Sequence, residues 1–208
     1  MALQLYTAPT IEPLTLSEAT AHLRVDSDDD MLLVESLITA ARIYCENKTN
    51  RQFINATYKL SLDQFPVWND CRPRRGESFA ELGGVIRVPR PRLQSVTSIT
   101  YVDLNGDTQT LSTSNYTVDT QSEPGRIVPA YNSFWPGTRT QVNAVVVTYV
   151  AGFGATAASV PESIKAAMKL IIGHLYENRE AVNIGNVVNE VPMAVDSLLG
   201  TYALPEVL

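Results

Sequence analysis

Two histidines, two cysteines and one acidic run are the residues whose types could carry chemistry. His22 and His174 each fall in a helical pattern, and neither belongs to an HExxH or another metal-ligand spacing. A lone histidine on a helix reads as a core or surface residue. Cys45 lies on the apolar side of a helical pattern and reads as a small buried hydrophobe. Cys71 lies in a polar stretch, and without a CxxC the pair makes neither a redox dithiol nor a zinc knuckle. In Asp28-Asp29-Asp30, successive helical side chains would point about 100° apart, so they diverge instead of converging on a cation. They are better read as acids at the positive end of a helix. Gly152-Phe153-Gly154 precedes a helix but is followed by no Lys-Ser/Thr pair to hold a phosphate, which leaves a turn. No serine sits in a GxSxG elbow. On this reading the chain is not an enzyme, and no cofactor or metal is expected.

The elements that would position these residues fall into three blocks. Residues 1–14, with Pro9 and Pro13, read as an extended arm. Thr15 with Glu18 makes a capping box for a first helix lined by Leu16, Ala19 and Leu23. A second helix runs to about Asn50 with two apolar stripes, Leu33, Leu37, Ala40, Tyr44 and Val34, Ile38, Ala41, Cys45. Two adjacent stripes predict a wide buried face and a central helix. At the other end, Ser159, Pro161 and Glu162 read as the cap and first turn of a third helix with the stripe Ile164, Ala167, Met168, Ile171 and Leu175. Pro192 opens a last helix, and Pro205 ends it.

Between these helical blocks the hydrophobic period changes from helical to two. Tyr58, Leu60 and Leu62 alternate with polar residues, and short strands follow at 85–88, 96–102, 116–119 and 126–128. Residues 66–84 read as a long loop. Asn105-Gly106 signals a type I′ hairpin. Residues 142–150 carry apolar side chains on both faces, which marks a central strand. The expected fold is α+β: a four-helix body formed by residues 1–50 and 151–208, with an antiparallel β lobe inserted at 51–150.

Composition narrows the function classes. With 45% hydrophobic residues the chain can build a core, and no apolar run approaches a membrane span. The opening Met1-Ala2-Leu3-Gln4 lacks a leader pattern, and two cysteines make no disulfide framework, so a reducing cytoplasm is expected. Net charge is −6, spread unevenly. Residues 1–50 hold eight acids against three bases, whereas residues 51–92 hold eight bases against four acids. The acidic balance disfavours a general nucleic-acid binder. The arginine-rich 72–92 region, with Arg72, Arg74, Arg75, Arg87, Arg90 and Arg92, keeps open the alternative of a DNA-packaging factor that binds nucleic acid. Trp68, Tyr131, Phe134 and Trp135 could form a sugar platform; the plainer reading is a hydrophobic turn over the sheet.

The C-terminal stretch 191–208 holds only two charges, Asp196 and Glu206. Its apolar residues Val195, Leu198, Leu199, Tyr202 and Leu204 either close the helical core or dock a partner helix-in-groove.

Several segments, in order, resemble a known family. Thr15-Leu16-Ser17-Glu18-Ala19 with His22-Leu23-Arg24-Val25-Asp26 and an acidic helix start is similar to the opening of tailed-phage head–tail connector proteins, also called head-completion or DNA-packaging adaptor proteins. Val88-Pro89-Arg90-Pro91 running into Leu93-Gln94-Ser95-Val96, Val147 to Gly154, and Leu175 to Glu180 resemble its longer branch with an inserted β domain. The resemblance implies a structural virion protein at the head–tail interface. It implies a homo-oligomeric ring, typically a dodecamer, that sits under the portal protein and extends the DNA channel. A tail-side connector, stopper or tail terminator protein would bind next. DNA would pass without specific binding, and no membrane would be involved.

In the family the C-terminal segment engages the portal, which points to Val195, Leu198, Leu199, Tyr202 and Leu204. Asp26, Asp28, Asp29, Asp30 and Glu35 are channel-lining candidates, because like charge repels phosphate. Arg72, Arg74 and Arg75 are inter-subunit candidates through a neighbour's acids.

Overall fold

A computed structural model of the chain describes residues 1–26, 28–66, 84–178 and 193–204. The described residues hold four α-helices and eight strands. These are β1 Ala2–Thr7, α1 Leu16–Leu23, α2 Met31–Thr49, β2 Ala56–Leu62, β3 Ile86–Val88, β4 Leu93–Val102, β5 Thr108–Thr110, β6 Tyr116–Asp119, β7 Gly125–Pro129, β8 Val145–Ala151, α3 Glu162–Glu177 and α4 Met193–Gly200. The fold is α+β, with the β region inserted between two helical segments.

The chain divides into a β unit, Met1–Ala8 with Asn55–Gly152, and a helical unit, Pro9–Ile54 with Phe153–Pro205. Two stretches differ from the sequence-based division. The first eight residues are not an arm of the helical body: β1 pairs antiparallel with β2, Leu3 opposite Leu60 and Leu5 opposite Tyr58. Most β1 side chains are exposed, so the main-chain ladder holds the strand rather than an apolar pattern, helped by Lys59 Nζ 3.7 Å above the Tyr6 ring. Residues 51–54 belong to the helical unit, because Phe53 and Ile54 are buried in its core.

In the β unit one sheet runs β1-β2-β8-β4-β5 and a second runs β3-β7-β6, with every strand pair antiparallel. β8 lies mid-sheet between β2 and β4, as its two apolar faces predict. Its residues Val145, Val147, Tyr149 and Ala151 are buried with Leu60, Ile99, Ile86 and Ile127, so the two sheets share one core. Tyr149 stacks on Tyr58 at 5.8 Å and donates its hydroxyl to the Pro89 carbonyl at 2.8 Å; burial holds this phenol protonated.

The β4–β5 hairpin exists, but its turn is not type I′. The Gly106 N–H donates to the Asp103 carbonyl at 3.0 Å, and only Gly106 of the pair takes positive φ, at 99°. This is a turn centred on Leu104–Asn105 followed by a left-handed glycine. The Asp103 carboxylate, accepting from three backbone N–H groups, tips the balance by stabilising that geometry.

In the helical unit Thr15 caps α1 as expected, with Oγ1 accepting from the Glu18 N–H at 3.2 Å and the Glu18 carboxylate accepting from the Thr15 N–H at 2.8 Å. The Thr15 backbone and hydroxyl donors hold the Glu18 carboxyl below its ordinary range. Ser159, expected to cap α3, does not. It closes a 3-10 turn, Ala157–Ser159, and shares a hydrogen bond with the Thr156 hydroxyl, so α3 starts two residues later, at Glu162, without a side-chain cap.

The core gathers Leu14, Ala19, Val34, Ile38, Ala41, Cys45, Phe53, Ile164, Met168, Ile172, Val195 and Leu199. Burying each large aliphatic side chain among these contributes about 1.5–3 kcal/mol. Cys45 is fully buried, and desolvation pushes its thiol up to about 12, so it is the inert hydrophobe its context suggests.

Candidate interaction site

The C-terminal helix is built into its own unit. Val195 is 0% and Leu199 1% exposed. Leu198 and Tyr202 pack half-buried against the same core. Beyond the helix the chain is pinned to the end of α2 by backbone-directed bonds. The Leu204 N–H donates to the Thr49 carbonyl at 3.1 Å, Asn50 Nδ2 donates to the Leu204 carbonyl at 2.8 Å, and Arg51 Nε donates to the Tyr202 carbonyl at 2.6 Å. Ser163 Oγ donates to the Tyr202 hydroxyl at 3.0 Å, and the Tyr202 ring meets Phe153 edge-on at 6.3 Å. Lys48 and Asp196 pair at 3.2 Å over the helix.

Of the five docking candidates, then, Val195 and Leu199 anchor the helix at home, and a partner could reach them only by displacing it. Leu198, Tyr202 and Leu204 keep part of their surface outward.

The acidic candidates gather at the corner between α1 and α2. Asp26, Asp29 and Glu35 are exposed. Asp28 lies in a 3-10 turn, Asp28–Asp30, and its side chain is outside the described residues. Asp30 precedes α2 but does not cap it through its side chain; its carboxylate accepts from the Tyr176 hydroxyl on α3. Arg72, Arg74 and Arg75 lie outside the described residues, as do Trp68, Val191, Pro192 and Pro205. Of the other arginines, Arg92 is exposed and pairs with Glu123 at 3.3 Å, while Arg87 and Arg90 are half-buried. Trp135 is no open platform, because it stacks on Phe65 at 4.8 Å and donates Nε1–H to the Gly84 carbonyl.

One polar cluster escaped the sequence reading. Glu46, only 6% exposed, accepts from Arg42 at 3.0 Å, from Gln52 at 2.7 Å and from the Phe53 N–H at 3.0 Å. Arg42 also forks onto Glu12, at 2.7 and 3.2 Å. Burial works against the Arg42 charge, and Glu12 and Glu46 outweigh it, raising the guanidinium further. The network fastens the chain leaving α2 to the helix itself. Only the (i, i+4) spacing of Arg42 and Glu46 hinted at it.

The second miss is on α2. Of its two apolar stripes, Val34, Ile38, Ala41 and Cys45 are buried, while Ala40 and Tyr44 of the other are exposed and Leu33 and Leu37 only half-buried.

With both units described, the chain can be compared with known proteins. The fold is shared with neck chains of gene transfer agent particles. A chain from the neck of the empty particle, computed with C6 symmetry, superposes with a TM-score of 0.76 at 22% identity, over 100% of this chain and 98% of that one. A chain from the native gene transfer agent virion gives 0.74 at 21%, with 100% and 98% covered. One from the neck of the native particle, computed with C12 symmetry, gives 0.70 at 22%, again covering 100% and 98%. No family model matches the chain, and no curated protein matches its sequence. Among the described residues no helix is long and apolar enough to cross a membrane.

Proposed function

We propose that this protein is a structural neck component of a tailed-phage-like particle: an adaptor ring that sits under the portal, extends the DNA channel and joins head to tail. The observation that carries the reading is the end-to-end likeness, in both units, to chains from necks computed with C6 and C12 symmetry. The family resemblance of the sequence motifs points the same way. In this reading the protein is not an enzyme, and its partners are the portal, further copies of itself and a tail-side connector, stopper or terminator.

The C-terminal segment is the portal-docking element. Packing of Val195 and Leu199 at home makes α4 a rigid base, and the bonds from Thr49, Asn50 and Arg51 fix where the chain leaves it. Leu198, Tyr202 and Leu204 are the side chains that meet the portal. The corner with Asp26, Asp28, Asp29, Asp30 and Glu35 faces the channel, where negative charge keeps DNA from sticking. Arg72, Arg74 and Arg75 contribute salt-sensitive contacts to a neighbouring copy.

The test is to mix the full chain with its portal protein and image the complex, beside a form that ends at Ala203. This truncation spares Val195 and Leu199, so the helical unit keeps its core. Normal portal binding by the shortened form would overturn the assignment of Leu204, and normal binding by Leu198→Asp/Tyr202→Ala, with helical circular dichroism retained, that of the other two. Failure of the full chain to form a ring on the portal, or steeply salt-dependent affinity for free DNA, would overturn the adaptor reading itself.

A further inference from the structure

The outer face of α2 is the strongest unexplained feature of the molecule. A helix that covers a core carries its charges on the solvent side. This one does the reverse. At about 100° per residue, Leu32, Leu33, Ala40, Ile43 and Tyr44 fall within an arc of about 120° opposite the buried stripe, with Leu37 at its margin packed half-buried against the core. Leu32 is 81%, Ile43 47% and Tyr44 37% exposed. The polar residues sharing the arc, Ser36 and Asn47, are uncharged. Every charged side chain of the helix lies off it: Glu35, Arg42 and Glu46 on one flank and Lys48 on the other. Arg42 is engaged with both Glu12 and Glu46, and Lys48 with Asp196. An apolar strip with charge only at its margins has the composition of an interface centre with a polar rim.

We infer that this strip is the surface through which one copy of the chain packs against the next in the ring, by way of Leu32, Ala40, Ile43 and Tyr44. The inference rests on the proposed ring. Three arguments select a second copy as the occupant. Rotational symmetry gives every copy two flanking copies, so each chain of a ring must bury surface that its own core leaves open. The strip carries no base to meet nucleic acid, which excludes DNA as its occupant. Its size is the third argument. Leu32 to Asn47 spans about 24 Å, and the arc covers roughly 300 Å². A stable pair buries about 800 Å² on each partner. The strip is therefore too small to hold an isolated pair, and it suits an assembly in which each copy is gripped on two sides and closure adds the contacts.

The experiment uses the full chain on its portal. Tyr44 is replaced by a photoreactive benzoylphenylalanine, the assembled rings are irradiated, and the product is mapped by mass spectrometry. The expected product has twice the chain mass and joins position 44 to a peptide of a second copy. In parallel, the double variant Leu32→Asp/Ile43→Asp keeps the helical circular dichroism of the parent, since both side chains are exposed. Its ring population on the portal falls about tenfold or more. A product joining position 44 to a different protein, no two-chain product from assembled rings, or undiminished rings from the double variant would each overturn the inference while leaving the adaptor reading intact. If the parent chain itself forms no ring, the adaptor reading falls and takes this inference with it.

Discussion

The C-terminal helix and the outer face of α2 are both apolar and differ in how much of that surface the chain buries itself. The apolar run of helix α4 suits either closing the core or docking a partner, and the structure seals Val195 and Leu199 in the core. The second stripe of α2, Leu33, Leu37, Ala40 and Tyr44, looks like core, yet Ala40 and Tyr44 face outward beside Leu32 and Ile43. An apolar stripe therefore tells that a surface will be covered, not by which body. Burial by the chain itself and burial by a neighbour leave the same periodic signature, because the driving force depends on apolar area and not on covalent connection.

Substitutions at the two places should separate them most strongly. Placing a carboxylate at Leu199 (Leu199→Asp) loses the side-chain burial and strands a charge in an apolar site, a cost of about 4 kcal/mol or more. The helical unit should unfold or lose its α4, visible as a large fall in helical circular dichroism and loss of hydrogen-exchange protection in α2 and α3. If Leu199→Asp stays folded with unchanged protection, α4 is not a core helix and the comparison collapses.

The next largest effect tests what holds the chain after α2. Glu46→Ala removes the acceptor for Arg42, Gln52 and the Phe53 N–H together, and leaves Arg42 half its counter-charge. Breaking a buried, hydrogen-bonded ion pair costs about 3 kcal/mol. The midpoint of denaturant unfolding should fall accordingly. Glu46→Gln keeps an acceptor and should lose less. Equal losses for the two variants would mean the hydrogen bonds contribute nothing beyond the charge on Glu46.

A smaller, pH-dependent effect belongs to the β unit and serves as a control on the helical one. Asp119 accepts from the Ser122 hydroxyl at 2.6 Å and from Arg126 at 3.0 and 2.8 Å, closing the β6–β7 hairpin. Ser122 first and Arg126 next hold its carboxyl well below the usual carboxylate range. A depressed carboxyl adds stability above its unfolded value, near 3.9, and that stability is lost as pH falls through the folded value. Asp119→Asn should cost about 1–2 kcal/mol at neutral pH. The gap to the parent should then close as the pH drops below about 4. A pH-independent gap would show that packing, not charge, sets the contribution of Asp119.

The parts of the fold that were legible in the sequence are those fixed by local physics. The Thr15–Glu18 box, the Val34–Ile38–Ala41–Cys45 stripe of α2, the α3 stripe and the doubly apolar β8 each rest on interactions within a few residues or on a simple period. The parts that were not legible are long-range. Strand β1 is recruited by the ladder of β2, some fifty residues on, and its exposed side chains carry no pattern of their own. Ser159 had the right type for a cap, but Thr156 offered its hydroxyl a competing turn. For the interaction site, the sequence marked which residues are apolar, and only the packing sorts them into those satisfied at home and those left outward.

The smallest expected effect is the most informative about that sorting. Ile43→Ser exchanges an exposed aliphatic side chain for a polar one on the outer arc of α2. The burial lost within the chain is slight, and serine costs the helix at most about 0.5 kcal/mol relative to a better helix former. The melting temperature of the isolated chain should therefore hardly move. Ile38→Ser, one turn away on the inner arc, removes a side chain that is 3% exposed and leaves a cavity with a hydroxyl in it, at about 3 kcal/mol or more. The two positions share residue type, helix and neighbourhood, so their difference isolates the face. If Ile43→Ser destabilised the lone chain as much as Ile38→Ser, the outer arc would already be covered by this chain's own residues, and no second body would be needed to explain why it carries no charge.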